Sequence, residues 1–131
     1  MCGIAGCVDF NSTLPGNFES GLNLLTHRGP DAHGSFTNRR AILGVRRLRV
    51  IDLNTGDQPI TNEDGSLVVV FNGEIYNYKS LRHKLVSRHR FTTQSDTEVL
   101  IHLYEDLDTD MVKALNGMFA FAIWDKRRHT L

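Results

Sequence analysis

The strongest folding signal lies in residues 67–77, LVVVFNGEIYN. Its first part, Leu67–Phe71, is continuously apolar and rich in β-branched residues, which predicts a strand covered on both faces. Asn72 and Gly73 follow directly. Because Asn-Gly also suits a two-residue hairpin turn, the pair is either such a turn or a polar site at the end of a buried strand.

The flanking patterns predict a mixed α and β chain. A short helix around residues 22–25 should end before residue 27, and a second should run over residues 77–86. Ser95 and Glu98 have the spacing of a capping box that opens a third helix. The apolar face of this helix is expected to consist of Val99, Leu103 and Leu107. Further strands are expected over residues 3–10, 41–48 and 119–125.

Composition describes an ordinary globular chain of 131 residues, enough for one domain. The 15 Lys and Arg balance the 15 Asp and Glu, which argues against a nucleic-acid or membrane-surface partner. No apolar run approaches the roughly 20 residues of a membrane helix, and the N-terminus lacks a secretory signal pattern. We therefore expect a cytoplasmic protein without a membrane partner.

The two cysteines, Cys2 and Cys7, are expected to be free thiols. If a strand connects them, they lie about 16 Å apart, well beyond the roughly 7 Å that a disulfide tolerates between Cα atoms. The six histidines show no ligand spacing with these cysteines, so no metal site is expected. The basic clusters at residues 39–40, 88–90 and 127–128 are expected on solvated faces.

Cys2 is a candidate nucleophile because removal of Met1 would give it a free α-amine. An α-amine has a pKa of roughly 7.7–8.0 and a thiol roughly 8.5, so the amine could act as the built-in base near neutral pH. Gly3 next to it leaves room for a substrate carbonyl. Position alone is a weak signal, since a cysteine near a start codon is more often a small buried residue.

A series of motifs strengthens this hypothesis, because the chain resembles the class II glutamine amidotransferases, in particular the glutaminase domain of glutamine-dependent asparagine synthetase. The resemblance covers essentially the whole chain and keeps the family's order. It implies an α+β fold, a four-layer αββα sandwich of the N-terminal-nucleophile hydrolase type. The matching segments are residues 1–6, 27–34, 43–44, 47–48, 51–53, 56, 58–59, 71–77, 95–98 and 115–122.

The resemblance implies hydrolysis of L-glutamine to glutamate and ammonia through a Cys2 thioester. Asn72 and Gly73 are the implied hydrogen-bond donors to the oxyanion, and both are also implied to contact the substrate. The implied ligands of glutamine itself are Arg47 for its carboxylate, Asp96 and Glu74 for its ammonium, and Ile51 in the pocket wall.

Each of these ligands also has a plain structural interpretation. Arg47 could be a solvated charge, which is the better interpretation for its neighbour Arg46. An acid such as Asp96 in the first turn of a helix is favoured by the helix dipole in any case. Glu74 could be an exposed loop charge. His27 and Asp31 could suggest a catalytic pair, but an N-terminal amine makes a catalytic histidine unnecessary, so residues 27–31 are interpreted as a shaped loop near the glutamine site.

The sequence departs from the family in detail and in length. Val45 stands where histidine is common and Arg49 where serine is common. The domain, residues 1–131, is expected to be incomplete at its C-terminal end. The family's ATP-using synthetase domain, which would receive the ammonia, is not part of this sequence, so ATP and magnesium are expected only there and no cofactor is expected here.

Two other classes of function remain open at this point. One is an N-terminal-nucleophile amidase that acts on a different amide. The other is a catalytically inactive remnant that serves as a binding module for a partner subunit. The sequence does not determine the oligomeric state.

Overall fold

A computed structural model describes residues 1–11, 13–50, 52 and 54–131. Within these residues the chain forms six strands, three α-helices and one 3₁₀ helix, Asp108–Ala114. The strands are β1 (Gly3–Val8), β2 (Ala32–Thr37), β3 (Ala41–Arg47), β4 (Ile60–Thr61), β5 (Leu67–Ile75) and β6 (Gly117–Asp125). The helices are α1 (Phe18–Asn23), α2 (Tyr78–Leu85) and α3 (Thr97–Leu107).

The first sheet is antiparallel, with the order β1-β3-β2. Gly44 lies in the central strand, opposite Ala5 on one side and Ser35 on the other. A Cβ atom at Gly44 would come within 2.8 Å of Leu22 and 2.9 Å of Phe18. The glycine therefore lets α1 lie close against the outer face of this sheet.

The second sheet has the order β4-β5-β6, and β5 pairs with β6 from Leu67 opposite Asp125 to Ile75 opposite Gly117. Successive side chains of β5 point to opposite faces. Val68 and Val70 belong to the core between the two sheets, whereas Val69 belongs to the core beneath α2 and α3. The predicted burial of this strand on both faces is confirmed.

Two cores and two sheets thus give four layers: α1, the first sheet, the second sheet, and α2 with α3. Trp124 and Leu43 are fully buried in the core between the sheets. Leu100 and Ile101 are fully buried in the core between the second sheet and the helices. The expected α+β sandwich with αββα layering is therefore confirmed.

Asn72 and Gly73 lie inside β5, paired with Ala120 and Phe119, so the hairpin-turn interpretation is wrong. The strand continues because β6 provides a full-length partner for it. Strands β2 and β4 were not predicted from the sequence. β2 alternates between half-buried and exposed residues, and β4 has only two residues, so neither has a strong apolar pattern.

The capping box predicted for α3 is also wrong. The backbone N–H of Ser95 donates to Thr93 Oγ1 at 3.1 Å, not to Glu98. The Glu98 carboxylate instead reaches back to the amides of Thr92 and Thr93, at 2.7 Å each. Leu107, expected to face inward, is 46% exposed because it is the last residue of the helix.

Among the described residues, no helix combines the length and the apolar character needed to cross a bilayer.

Candidate active site

A pocket of about 90 Å³ lies where the N-terminus, the end of β3, β5 and the start of α3 meet. Six of the seven residues predicted from the sequence line it: Cys2, Arg47, Asn72, Gly73, Glu74 and Asp96. The seventh, Ile51, lies outside the described residues. The fold therefore brings together side chains that are up to 94 positions apart in the chain, 96 minus 2.

Cys2 lies at the start of the first sheet, held by the segment that follows β3. Its Sγ atom accepts a hydrogen bond from the backbone N–H of Leu48 at 3.4 Å and lies 3.6 Å from the carbonyl oxygen of Leu48. Met1 precedes it and also lines the pocket. Removal of Met1 would free the α-amine of Cys2 and widen the pocket at the same point.

The loop of residues 27–31 supports the two sides of the pocket. Arg28 Nε donates to the carbonyl oxygen of Cys2 at 3.0 Å, and the N–H of Asp31 donates to the carbonyl oxygen of Arg47, also at 3.0 Å. A Cβ atom at Gly29 would lie 2.1 Å from the carbonyl oxygen of Arg46, so only glycine permits this approach.

His27 and Asp31 have separate contacts within this loop. The exposed ring of His27 places Nδ1 2.9 Å from the carbonyl oxygen of Leu24. Asp31 Oδ2 accepts from the backbone N–H of Arg49 at 2.9 Å. These contacts favour the interpretation of residues 27–31 as a shaped loop.

Arg47 is buried at the end of β3 and is one of the residues that line the pocket. Nη1 lies 2.6 Å from Asp57 Oδ1, and Nη2 donates to the carbonyl oxygen of Asp52 at 2.7 Å. Arg49 also pairs with Asp57, at 3.0 Å. Hydrogen bonds from Arg49 and Arg47 outweigh partial burial and lower the pKa of Asp57. The solvated-charge interpretation of Arg47 is therefore wrong, because β3 buries this end of the strand.

Asn72 and Gly73 present the polar part of β5 to the pocket. Among the described residues, the buried Asn72 Oδ1 atom has no hydrogen-bond partner. Gly73 has a φ angle of 152°, and a Cβ atom there would come within 2.2 Å of the carbonyl oxygen of Met118. Glycine is thus required for the close packing of β5 on β6 beside the pocket.

The acidic side of the pocket is formed by Asp96 and Glu74. Asp96 is only 4% exposed, and its Oδ2 atom accepts from the backbone N–H of Ile75 at 3.0 Å. Burial raises the pKa of Asp96, and the hydrogen bonds from Ile75 and Ser95 offset it only in part. Glu74 lies half-buried near the end of β5 rather than in an exposed loop. The site therefore places two carboxylates where a cation would be favourable.

Gln58 was assigned no role from the sequence, yet it connects two walls of the pocket. Its Oε1 atom accepts from the backbone N–H of Phe71 at 2.7 Å, and Nε2 lies 3.3 Å from Thr97 Oγ1. Gln58 thus ties β5 to the first turn of α3. Its place in one of the matching motifs was the available signal, but local spacing does not reveal partners 13 and 39 residues away.

Comparison with known proteins gives consistent results. A family model described as a glutamine amidotransferase domain matches residues 1–131. Asparagine synthetase [glutamine-hydrolyzing] 2 of Bacillus subtilis (strain 168) is 43% identical over 136 residues, covering 98% of this chain and 18% of the relative. Asparagine synthetase [glutamine-hydrolyzing] 3 of Arabidopsis thaliana is 45% identical over 130 residues, covering 97% of this chain and 22% of the relative.

Among solved structures, the chain is similar to glutamine phosphoribosylpyrophosphate (PRPP) amidotransferase from B. subtilis, complexed with ADP and GMP. The TM-score is 0.52 with 27% sequence identity, over 69% of this chain and 22% of that one. The chain thus spans about a fifth of the length of the relatives it matches, between 18% and 22%.

Proposed function

Because the chain belongs to the glutamine amidotransferase domain family, we propose that it hydrolyses L-glutamine to glutamate and ammonia with Cys2 as the nucleophile. The observation that carries this proposal is the single pocket that Cys2 shares with a buried arginine, two carboxylates and the Asn72–Gly73 pair. A free α-amino acid with a side-chain amide has a complementary group for each of these.

The covalent step begins once Met1 has been removed. The α-amine of Cys2 accepts the thiol proton, and the sulfur attacks the amide carbon of glutamine to form a tetrahedral intermediate. When the carbon–nitrogen bond breaks, the ammonium of Cys2 returns a proton to the leaving group, which departs as ammonia. Water then attacks the remaining thioester, which releases glutamate and restores the thiol.

The oxyanion of the tetrahedral intermediate is held by Asn72 and Gly73 in this proposal. The side-chain amide of Asn72 and the backbone N–H of Gly73 would each donate to it. A preorganised donor of this kind contributes roughly 3–4 kcal/mol to transition-state stabilisation. Because both residues are fixed within a paired strand, little reorganisation is needed when the charge develops.

The α-carboxylate of glutamine would bind Arg47, whose planar guanidinium suits a bidentate carboxylate. Asp57 already contacts this guanidinium, but Asp57 is 55% exposed and has a second arginine partner in Arg49. A substrate carboxylate can therefore replace Asp57 at the guanidinium of Arg47, while Asp57 remains paired with Arg49. Arg49 thus has a role that its departure from the family pattern did not suggest.

The α-ammonium of glutamine would bind between Asp96 and Glu74. Burial disfavours the charged form of Asp96. A bound ammonium reverses this effect, because an opposite charge nearby favours the ionised carboxylate. This pairing selects an α-amino acid over a simple amide and argues against the alternative of an amidase for other substrates.

Glutamate release from glutamine by the purified protein tests the proposal. Cys2→Ala should abolish release, and Cys7→Ala is the matched control, since Cys7 is also a free thiol in β1 but does not line the pocket. Intact mass must first establish that Met1 is absent. A processed protein whose Cys2→Ala variant retains full activity would contradict the assignment. A processed protein that binds glutamine without turnover would favour the inactive binding module.

The destination of the ammonia is a further part of the proposal. Several relatives bear the name asparagine synthetase [glutamine-hydrolyzing], which supports an ATP- and magnesium-dependent synthetase site outside these 131 residues as the acceptor. Transfer of ¹⁵N from amide-labelled glutamine into asparagine, with aspartate and MgATP, tests this step. The proposal also places the reaction in the reducing cytoplasm, where both thiols remain free.

A further inference from the structure

Four side chains from three segments meet in what we call the His–Glu cluster: Glu63 in the turn after β4, His89 in the turn after α2, and His102 and Glu105 on α3. One nitrogen or oxygen atom of each lies within 4.8 Å of those of the other three. Both histidines direct Nδ1 toward the same carboxylates. Glu105 Oε2 is 3.3 Å from His89 Nδ1 and 3.0 Å from His102 Nδ1.

Glu63 completes this arrangement, with one carboxylate oxygen 3.9 Å from His89 Nδ1 and the other 3.9 Å from His102 Nδ1. The two imidazole rings stack, with centroids 4.6 Å apart and planes inclined by 26°. His102 is only 1% exposed, and His89 is largely covered. The sequence predicted residues 88–90 on a solvated face, which is wrong for His89 because α3 packs against its ring.

Three of the four side chains have a hydrogen-bond partner outside the cluster that orients them. These contacts are His89 Nε2 to Asp106 Oδ1 at 3.0 Å, Arg90 N–H to Glu63 Oε1 at 2.7 Å, and Asn62 Nδ2 to Glu105 Oε1 at 2.8 Å. The fourth, His102, has Nε2 3.9 Å from Glu98 Oε1. Histidines that bind metals in proteins commonly have a carboxylate on the other ring nitrogen, as His89 has.

We propose that the His–Glu cluster binds one divalent transition-metal ion, with Zn²⁺ as the best fit. Zinc bonds of about 2.0–2.2 Å to nitrogen and oxygen imply tetrahedral ligand separations of roughly 3.3–3.5 Å. The separations from Glu105 Oε2 to the two Nδ1 atoms, 3.0 and 3.3 Å, and from Glu63 Oε2 to His102 Nδ1, 3.9 Å, bracket this distance. Glu63, which lies at the surface, has the most freedom to close the remaining gap.

The ligand set determines which cation is favoured. Two neutral imidazoles and two carboxylates carry a charge of −2, which balances a divalent ion. Imidazole nitrogen favours zinc and similar transition metals, whereas calcium and magnesium favour oxygen ligands alone. The competing interpretation is an ion-pair network without metal, in which the cluster holds a proton where the ion would lie.

The position of the cluster gives such an ion a structural role. It would join the turn after β4 and the turn after α2 to the middle of α3. The start of the same helix contributes Asp96 and Thr97 to the pocket. The ion would therefore anchor the helix that carries the acidic side of the proposed glutamine site, and its binding does not depend on the proposed reaction.

Equilibrium dialysis of Zn²⁺ with metal-stripped protein, together with thermal unfolding, tests the proposal. The measurements use the Cys2→Ala protein, so that the pocket thiolate cannot bind the ion. We expect one Zn²⁺ per chain and a melting temperature that rises with zinc concentration. His89→Gln should weaken zinc affinity at least about 100-fold, and Asp106→Asn about 10–100-fold.

His83→Gln is the matched control, because His83 is an exposed histidine on α2, and it should leave zinc affinity unchanged. Glu63→Gln provides a second ligand variant at the surface, whose amide oxygen can still accept from Arg90. Circular dichroism verifies the folding of each variant. Equal zinc affinity in His89→Gln, Glu63→Gln and His83→Gln, or no zinc-dependent rise in melting temperature, would overturn the site in favour of the metal-free network.

Discussion

Two buried carboxylates at the start of α3, only two residues apart, have pKa values that are shifted in opposite directions. Asp96 is 4% exposed and Glu98 is 1% exposed. Burial raises the pKa of Asp96. Burial also opposes ionisation of Glu98, but His102 and the donors of Thr92 and Thr93 outweigh it and lower the pKa of Glu98 to about 2.

The difference lies in how completely each carboxylate is paired. Glu98 accepts from the amides and hydroxyls of both Thr92 and Thr93, with all four distances between 2.7 and 3.0 Å. Asp96 accepts one short backbone bond and one long hydroxyl bond, and it faces the pocket. Glu98 therefore stabilises the fold. Asp96 can accept further hydrogen bonds, which the proposed substrate ammonium would donate.

The largest effect is a loss of unfolding free energy, which we expect for Glu98→Gln. A glutamine has only one accepting oxygen, so its NH₂ group would face N–H and O–H donors in a buried site. Removing one partner of a buried charged network costs about 3–5 kcal/mol. Urea unfolding should register this loss, while activity per folded molecule stays close to wild type. The exposed Glu19→Gln is the control and should change stability by less than about 0.5 kcal/mol.

The second-largest effect is a loss of catalytic efficiency, which we expect for Asp96→Asn. The asparagine oxygen can still accept from Ile75, but the charge for the ammonium is gone. A hydrogen bond to a charged group contributes about 1.5–3 kcal/mol, so kcat/KM for glutamine should fall about 10–100-fold. Unfolding free energy at neutral pH should stay equal or rise, since a buried charge is removed. A large loss of stability with unchanged KM would assign Asp96 a structural role like that of Glu98.

The smallest effect is on the pH dependence of stability, to which the two carboxylates contribute in opposite directions. The folded pKa of Asp96 is raised above 3.8, so its unfavourable contribution is present at neutral pH and disappears as pH falls through that folded pKa. Glu98 contributes in the opposite sense, with stability present above pH 4.5 and lost as pH falls toward about 2.

Urea unfolding of the wild type and of Asp96→Asn at a series of pH values isolates the first contribution, because the contribution of Glu98 cancels in the difference. The stability difference between the two proteins should shrink as pH falls from 7 toward 4. A difference that is independent of pH would mean that folding does not change the pKa of Asp96, contrary to the expected increase.

Local patterns predicted a mixed α and β chain, and the apolar run in β5 predicted a strand covered on both faces. The layered sandwich was implied by the family resemblance that the ordered motifs carry. The same motifs predicted six residues that the structure brings to one pocket. The prediction failed where pairing depends on distant chain segments: β2, β4, the continuation of β5 through Gly73, and the partners of Glu98.

The sequence alone determined the apolar strands and the free cysteines, which follow from residue type and local spacing. It also determined the set of groups that suits glutamine, which its resemblance to the glutamine amidotransferases implied. Only the tertiary structure decided which of these groups meet. Cys2 reaches Asp96 through the packing of two sheets and a helix, and His89 meets Glu63 through the packing of two turns on α3. The physical reason is that hydrogen bonds and ion pairs form over about 3–4 Å in space, whatever the separation of their residues along the chain.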